Sequence, residues 1–247
     1  MEGTAVPGRL SWRVAKVVGN TTETPRVHSL LLDVPDWPGH LAGQHVDIRL
    51  TSEDGYQAQR SYSIASAPED QRLMLTIERL EEGEVSPYLS DALQPGDALE
   101  LRGPIGGYFV WHEPLGGPLL LLAGGSGVVP FRSILRHHAA TRSRVPVRLL
   151  YSARRFAEVI YREELERLTA NGVDVKLTLT REWPDGWTGY RRRIDSDLLR
   201  EIAWPPSENP LVYACGPTSF VETAANTLVS LGYQPTRIRT ERFGPTG

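Results

Sequence analysis

Leu119-Leu120-Leu121-Leu122-Ala123-Gly124-Gly125-Ser126-Gly127-Val128-Val129-Pro130 is the stretch that decides the fold. Four consecutive leucines leave no polar face, as in a strand covered on both sides. The glycines that follow make a tight turn, and a helix is expected from about Val129 to Ala140. Glycines let a backbone approach a pyrophosphate closely, and the unpaired N–H groups and dipole of a helix start favour its negative charge. The usual third glycine is absent, with Pro130 near its place, so the stretch taken alone suits an ordinary tight turn equally well.

The rhythm continues downstream. Val147 to Tyr151 precedes a helical stretch over Ala157 to Ala170, Val173 to Thr180 precedes Asp195 to Ile202, and Leu211 to Ala214 precedes Ser219 to Leu231. Apolar runs alternating with helices predict an α/β domain with a doubly wound parallel sheet. Upstream the pattern differs. Trp12 to Val18, Val27 to Val34, His45 to Leu50, Ser61 to Ala65 and Leu73 to Leu80 are short β-rich runs punctuated by Gly, Pro and Asp. Such spacing predicts an antiparallel barrel or sandwich. One short helix is expected at Ser86 to Leu93, capped by Ser86 with Pro87 at its first position. The Pro/Gly-rich stretch from Trp111 to Pro118 reads as a linker, giving two domains, 1–113 and 114–247.

Composition narrows the function. The 247 residues carry 27 Lys and Arg against 30 Asp and Glu, a formal charge of −3 with the basic residues spread along the chain. Nucleic acid is therefore not expected as a partner. A single cysteine, Cys215, excludes an intramolecular disulfide and a four-cysteine iron–sulfur cluster within these residues. The six histidines show no metal spacing, His137 and His138 being adjacent, so no metal is expected. There is no run of about eighteen apolar residues to span a membrane. Met1 to Trp12 lacks the basic end and apolar run of a signal peptide. The expectation is a cytoplasmic protein whose metal centre, where one is needed, belongs to a partner.

Two further motifs carry chemistry. Arg60-Ser61-Tyr62-Ser63 follows a polar loop on a strand. Arginine suits a phosphate, because its planar fork bonds two oxygens at once. Tyr62 lies on the same strand face and offers a ring for stacking, and Ser63 can hydrogen-bond a ring nitrogen. An edge strand with an exposed arginine and a packed tyrosine explains the tetrapeptide as well. Tyr213-Ala214-Cys215-Gly216-Pro217 ends a buried strand, where ligands of such sheets bind. A lone cysteine there is also commonly just buried and inert.

In order along the chain, Arg60-Ser61-Tyr62-Ser63, Gly83-Glu84-Val85-Ser86, Gly103-Pro104-Ile105-Gly106, the Gly124 turn, Cys215-Gly216-Pro217 and Glu241-Arg242-Phe243 resemble the ferredoxin–NADP reductase superfamily. More closely, the chain resembles the flavin and nicotinamide domains of bacterial oxygenase reductases, from about Trp12 to Phe243. The resemblance implies an FAD-binding antiparallel β-barrel followed by a nicotinamide-binding doubly wound domain. It implies that Arg60 binds the FAD pyrophosphate with Ser61 beside it, Tyr62 covers one flavin face and Ser63 bonds near flavin N5. Gly83, Val85 and Ser86 would form the second phosphate turn, and Ile77 joins this cofactor-binding set. Gly124, Gly125 and Gly127 would cradle the nicotinamide pyrophosphate, with Cys215, Gly216 and Pro217 beside the nicotinamide. Glu241 would stand near hydride transfer, and Phe243 would shield the other flavin face or serve as a packing anchor.

The second α/β strand ends Tyr151-Ser152-Ala153-Arg154-Arg155 with no carboxylate until Glu158, whereas Thr180-Arg181 follows the third. That pair resembles the 2′-phosphate site of NADPH-using relatives, with Arg191 to Arg193 near by, so NADPH is expected and NADH is possible. A solvated basic surface is the alternative. Ser63, Cys215 and Glu241 are the expected catalytic set. The acceptor is expected to be a separate iron–sulfur protein (ferredoxin) or an oxygenase component, and the protein a monomer. A reductase of free flavin and a non-catalytic flavin-binding subunit are the competing functions.

Overall fold

The computed structural model describes residues 10–243. Six antiparallel strands come first: β1 (Arg13–Thr24), β2 (Val27–Asp33), β3 (His45–Thr51), β4 (Gln57–Ser63), β5 (Leu73–Glu78) and β6 (Ala98–Ile105). They run in the order β4-β3-β6-β1-β2-β5. Just past β4, Ile64 bridges Leu75 and the Ala65 N–H donates to the Met74 carbonyl at 2.8 Å, which closes the sheet into a barrel. Alternate residues point inward. Ala15, Val17, Leu30, Leu32, Val46, Ile48, Leu75, Ile77 and Leu101 form its core, none with any exposed surface.

Two strands carry little apolar signal and were not among the expected runs. β6 alternates Leu99 and Leu101 with Glu100 and Arg102, whose charges pair with Arg49 and Asp47 of β3. The second is Ile238–Phe243, with Ile238 as its sole aliphatic residue. The short helix is present, with Tyr88–Ala92 wound as a π-helical turn, but Ser86 does not cap it. The Ser86 hydroxyl instead accepts from the Leu80 N–H at 3.0 Å, closing the preceding loop. The strand expected at Ser61 to Ala65 spans Gln57–Ser63, because His45 to Thr51 of β3 pairs with that whole length.

The second half is a parallel sheet of β7 (Leu119–Gly124), β8 (Val147–Arg155), β9 (Asp174–Glu182), β10 (Leu211–Pro217) and β11 (Ile238–Phe243), in the order β11-β10-β7-β8-β9. Successive leucines of β7 face opposite ways. Leu119 and Leu121 pack with Phe131, Ile134 and Leu135 of α1 (Val129–Ala140) and Leu165 of α2 (Arg162–Ala170). Leu120 and Leu122 pack with Leu198 and Leu199 of α3 (Ser196–Ile202) and Val221 and Leu228 of α4 (Thr218–Ser230). Helices thus cover both faces, as the leucine run predicts. The helix expected from Ala157 begins only at Arg162, because Tyr161 has left-handed backbone with φ 59°. Asp195 caps α3, accepting from the Leu198 N–H at 2.9 Å.

The two halves share one apolar seam. Val27, Ala42, Ala65, Phe109 and Trp111 of the barrel side are buried in the same cluster as α1, β7 and β8. No described helix is long and apolar enough to cross a membrane.

Candidate functional site at the carboxyl edge of the parallel sheet

Sheet order sets where this site lies. From β7 the chain moves outward to β8 and β9, then returns to place β10 and β11 on the other side of β7. Such reversals open a crevice at the carboxyl ends of the strands. Gly124, Pro217 and Phe243 end β7, β10 and β11, and Arg155 and Glu182 end β8 and β9 on that same edge.

The three glycines expected to cradle a pyrophosphate divide their work. A Cβ on Gly127 would stand 2.0 Å from the Cys215 carbonyl oxygen and 2.8 Å from the Gly216 nitrogen. One on Gly124 would meet the Phe220 ring at 2.9 Å, and one on Gly216 would meet the Gly124 carbonyl at 2.9 Å. These positions are glycine because the turn is pressed against the end of β10. Only Gly125, at φ +55°, has open space around it. Gly125 and Ser126 are half-exposed and lead into α1, whose first turn has no side-chain cap. Uncapped N–H groups beside open space are the donor set that a pyrophosphate takes.

Cys215 is fully buried on β10, in register with Ala123 of β7 and Glu241 of β11. Burial, followed by the nearby Glu241 charge, pushes its thiol well above the ordinary range, so it stays protonated and is no nucleophile. Glu241 is half-buried, its carboxyl group makes no hydrogen bond or ion pair among the described residues, and burial pushes that carboxyl up to about 7. Its neighbour Arg242 pairs with Glu222 at 2.7 Å. Phe243, 36% exposed, ends β11 beside Pro217.

On the barrel, Arg60, Tyr62 and Ser63 lie on β4, whose outer edge is free along Gln57–Ser63. The Arg60 guanidinium reaches the Glu84 carboxylate at 3.2 Å, which brings the first phosphate motif onto the Gly83–Ser86 loop. Tyr62 packs against the barrel core, and burial pushes its phenol up to about 12, leaving a neutral ring. Ser63 is buried at the strand end. The Ser61 hydroxyl donates to Asp47 at 2.6 Å. Gly83 allows the tight return of the loop, since a Cβ there would meet the Ser86 hydroxyl at 2.8 Å. The free strand edge, the arginine and the glycine-containing loop beside it fit a flavin nucleotide. Ile77 and Val85 are 0% and 1% exposed, with their side chains in the barrel core beneath this surface.

At the far end of the edge, Thr180 is half-exposed on β9 and donates to the Ala153 carbonyl at 3.4 Å. Arg181 and Arg154 are exposed, and neither has an ion-pair partner among the described residues. Arg191 donates to the Trp187 carbonyl at 2.8 Å and lies over the Trp183 ring. Cavities of about 420 and 400 Å³ lie elsewhere, the first lined by Trp37, His40 and Arg72, the second by Met74, Arg132 and Arg136. Neither is lined by an expected site residue. Sequence reading missed Arg132, Ser133 and Tyr161, which join the halves. Only the i, i+4 spacing of Arg132 and Arg136 on α1 hinted at a shared polar face.

The glycine packing makes a sharp prediction. Gly127→Ala should abolish folding or lower stability by several kcal/mol, since backbone on both sides must shift (about 1–3 kcal/mol for ordinary overpacking). Gly125→Ala should lose only about 1–2 kcal/mol to left-handed strain. Urea denaturation of the two variants measures the difference, and equal losses would contradict this packing.

Comparison with known proteins agrees with this layout. The family described as Oxidoreductase FAD-binding domain matches residues 16–110, and Oxidoreductase NAD-binding domain matches residues 121–226. The ferredoxin–NADP reductase B of Sorangium cellulosum is 36% identical over 212 residues, covering 82% of this chain and 85% of that protein. The glycine betaine monooxygenase reductase subunit of Chromohalobacter salexigens is 31% identical over 97% of this chain, which spans 65% of that relative's length. Among solved structures, the FAD/NAD-binding domain of nitric oxide dioxygenase from Vibrio cholerae superposes with a TM-score of 0.84 at 26% identity, covering 94% of this chain and 99% of that one. An FAD-binding barrel, a nicotinamide-binding sheet and these relatives place the chain in the ferredoxin–NADP reductase superfamily of FAD- and NAD(P)-binding oxidoreductases.

Proposed function

We propose that this protein takes hydride from NADPH and passes single electrons, through FAD, to a separate iron–sulfur protein or oxygenase component in the cytoplasm. The observation that carries the reading is the gathering of the Gly125 turn, Cys215 and Glu241 at one strand edge, with Ala65, two residues past the Arg60–Ser63 strand, bonded to Arg132 of α1. FAD supplies the chemistry that links a two-electron donor to one-electron acceptors. In this reading residues 1–113 hold the flavin and 114–247 the nicotinamide nucleotide.

Each side chain then has a physical task. Arg60 and the N–H groups of the Gly83–Ser86 loop would bind the flavin pyrophosphate, Tyr62 would stack as a neutral ring, and Ser63 would orient the flavin edge. Gly125 and the start of α1 would take the nucleotide pyrophosphate. Cys215, neutral and buried, would wall the nicotinamide pocket and exclude water. Thr180, Arg181 and Arg191 would receive the 2′-phosphate, and the reductase names of the relatives support a separate acceptor. Phe243 would cover the remaining flavin face.

Glu241 has the most specific role. Hydride loss leaves positive charge on the nicotinamide ring, and a carboxylate in a sheltered site stabilises it. Burial places ionisation of Glu241 at about 7. The reduction rate should therefore rise with pH through about 7 in the wild type and become flat and low in Glu241→Gln. Stopped-flow flavin reduction across pH 5.5 to 8.5 (roughly 1.5 units either side) measures this, and an unchanged profile in the variant would remove Glu241 from the chemistry. Linkage has a definite sign as well. The folded chain binds this proton more tightly than the unfolded one, so stability falls as pH rises from 4.5 toward about 7. Glu241→Gln should lessen that fall.

The overall reading is tested by visible spectra of the FAD-loaded protein, taken anaerobically with NADPH and then NADH. Bleaching faster with NADPH is expected. Arg181→Ala should raise the KM for NADPH about tenfold, the scale of one charge-assisted hydrogen bond, and leave NADH unaffected. Faster bleaching by NADH would overturn the specificity, and a protein that binds no flavin would overturn the function.

A further inference from the structure

The barrel and the parallel sheet share no strand, and only the segment 106–118 joins them covalently. That segment is fastened to the α/β half. Tyr213 and Arg239 both donate to the Val110 carbonyl, at 2.7 and 2.6 Å, and Tyr108 donates to the Ile238 carbonyl at 3.1 Å. The same segment also holds the barrel, where the Trp111 N–H donates to the Ala42 carbonyl at 3.1 Å and Gln44 Nε2 to the Gly106 carbonyl at 2.6 Å, and the barrel wall is fixed further by contacts outside it.

Those contacts lie on α1 and at the start of α2. Arg132 donates to the Ala65 carbonyl at 2.9 Å and Ser133 to the Ser66 carbonyl at 2.7 Å. Arg132 also bonds Glu164 of α2 at 2.8 Å and lies 5.0 Å from the centre of the Tyr161 ring. The Tyr161 hydroxyl donates to Thr76 of β5, which passes the chain to Ser29 at 2.8 Å and then to the Glu23 carboxylate at 2.7 Å. Tyr161, Thr76, Ser29, Ser66 and Ser133 are all buried. Buried polar bonds of this kind favour one geometry, because parting the two halves would strip the seam's hydroxyls and carbonyls of partners at about 1–3 kcal/mol each, and the Ser66 carbonyl is held from the barrel side as well by His40 Nε2 at 3.0 Å. The outer pairs, Arg136 with Asp70 and His137 with Glu69, are more exposed and contribute less. Tyr161 also holds a left-handed backbone, φ 59°, to bring its ring to this seam.

The clamp is close to both motifs. Ala65 is two extended residues beyond Ser63, a lever of about 7 Å. Arg132 is five mostly helical residues beyond Gly127, again about 7 Å. A shift at the seam is thus carried to both sites almost undiminished, and a misplacement of about 1 Å can lower a hydride-transfer rate up to about a hundredfold.

We propose that Arg132, Ser133 and Tyr161 are positioning residues that set the distance between the flavin strand and the nicotinamide turn. The inference rests on the function proposed above. Its test is carried out in the full chain with spin labels on introduced cysteines at Val14 of β1 and Thr223 of α4, both exposed, while the buried Cys215 stays unlabelled. Pulsed dipolar spectroscopy should give one narrow distance in the otherwise wild-type protein, with or without FAD. Ser133→Ala, and independently Tyr161→Phe, should broaden it. In the same variants flavin reduction at saturating NADPH should fall about tenfold, while the dissociation constants for FAD and NADPH keep their wild-type values. An unchanged distance distribution, an unchanged reduction rate, or a loss confined to nucleotide binding would each overturn the positioning role. A wild-type protein that takes up no FAD would instead overturn the function on which it rests.

Discussion

Gly127 approaches the end of β10 so closely that no side chain fits between them, and most of the site follows from that contact. It requires β7 and β10 to be neighbours, which requires the chain to reverse its direction of travel across the sheet. The reversal opens the crevice, and the turn that makes the contact leaves Gly125 and the start of α1 facing it. The same packing seals Cys215 and leaves Glu241 half-buried without a cation, so the electrostatics of the pocket are a consequence of backbone closeness. A glycine-rich turn is usually discussed for what it lets a ligand do. Here two of its three glycines, Gly124 and Gly127, are pressed against the protein itself.

The barrel depends on the parallel half for its placement. Its strand edge at Gln57–Ser63 would be an ordinary polar edge if Ala65 and Ser66 were not held against α1. The energetic weight lies in few bonds. Exposed ion pairs such as Arg167 with Glu163 add little at a surface, whereas the buried serine, tyrosine and threonine hydroxyls cannot exchange their partners for water. The proposed function requires two separately bound ring systems to be aligned, and a small rigid seam close to both is a physical means of doing so.

Much of this was legible in the sequence because its signals are local. The leucines of β7 read directly as a strand covered on both faces, and α1 begins and ends where its apolar period and Pro130 predict. The Arg60, Gly124 and Cys215 motifs could be placed because each combines a strand end with a turn. Illegible features depended on partners distant in the chain. β6 and β11 are half-polar strands recognisable only beside their neighbours, and β11 has Ile238 as its sole aliphatic residue. Ser86 looked like a cap because capping serines and loop-closing serines have the same local sequence. Ile77 and Val85 sat among ligand-facing residues in sequence, yet strand alternation turned Ile77 inward and loop closure buried Val85. Nothing around Tyr161 signals its left-handed backbone, which makes sense only across the seam with Thr76.

A crystal structure with FAD and a nicotinamide nucleotide bound tests the account most directly. It should place the flavin ring on Tyr62 with its reactive edge between Ser63 and Glu241, and the nucleotide pyrophosphate on Gly125 at the start of α1. Flavin density in the cavity lined by Trp37, His40 and Arg72, away from the strand edge, would contradict it.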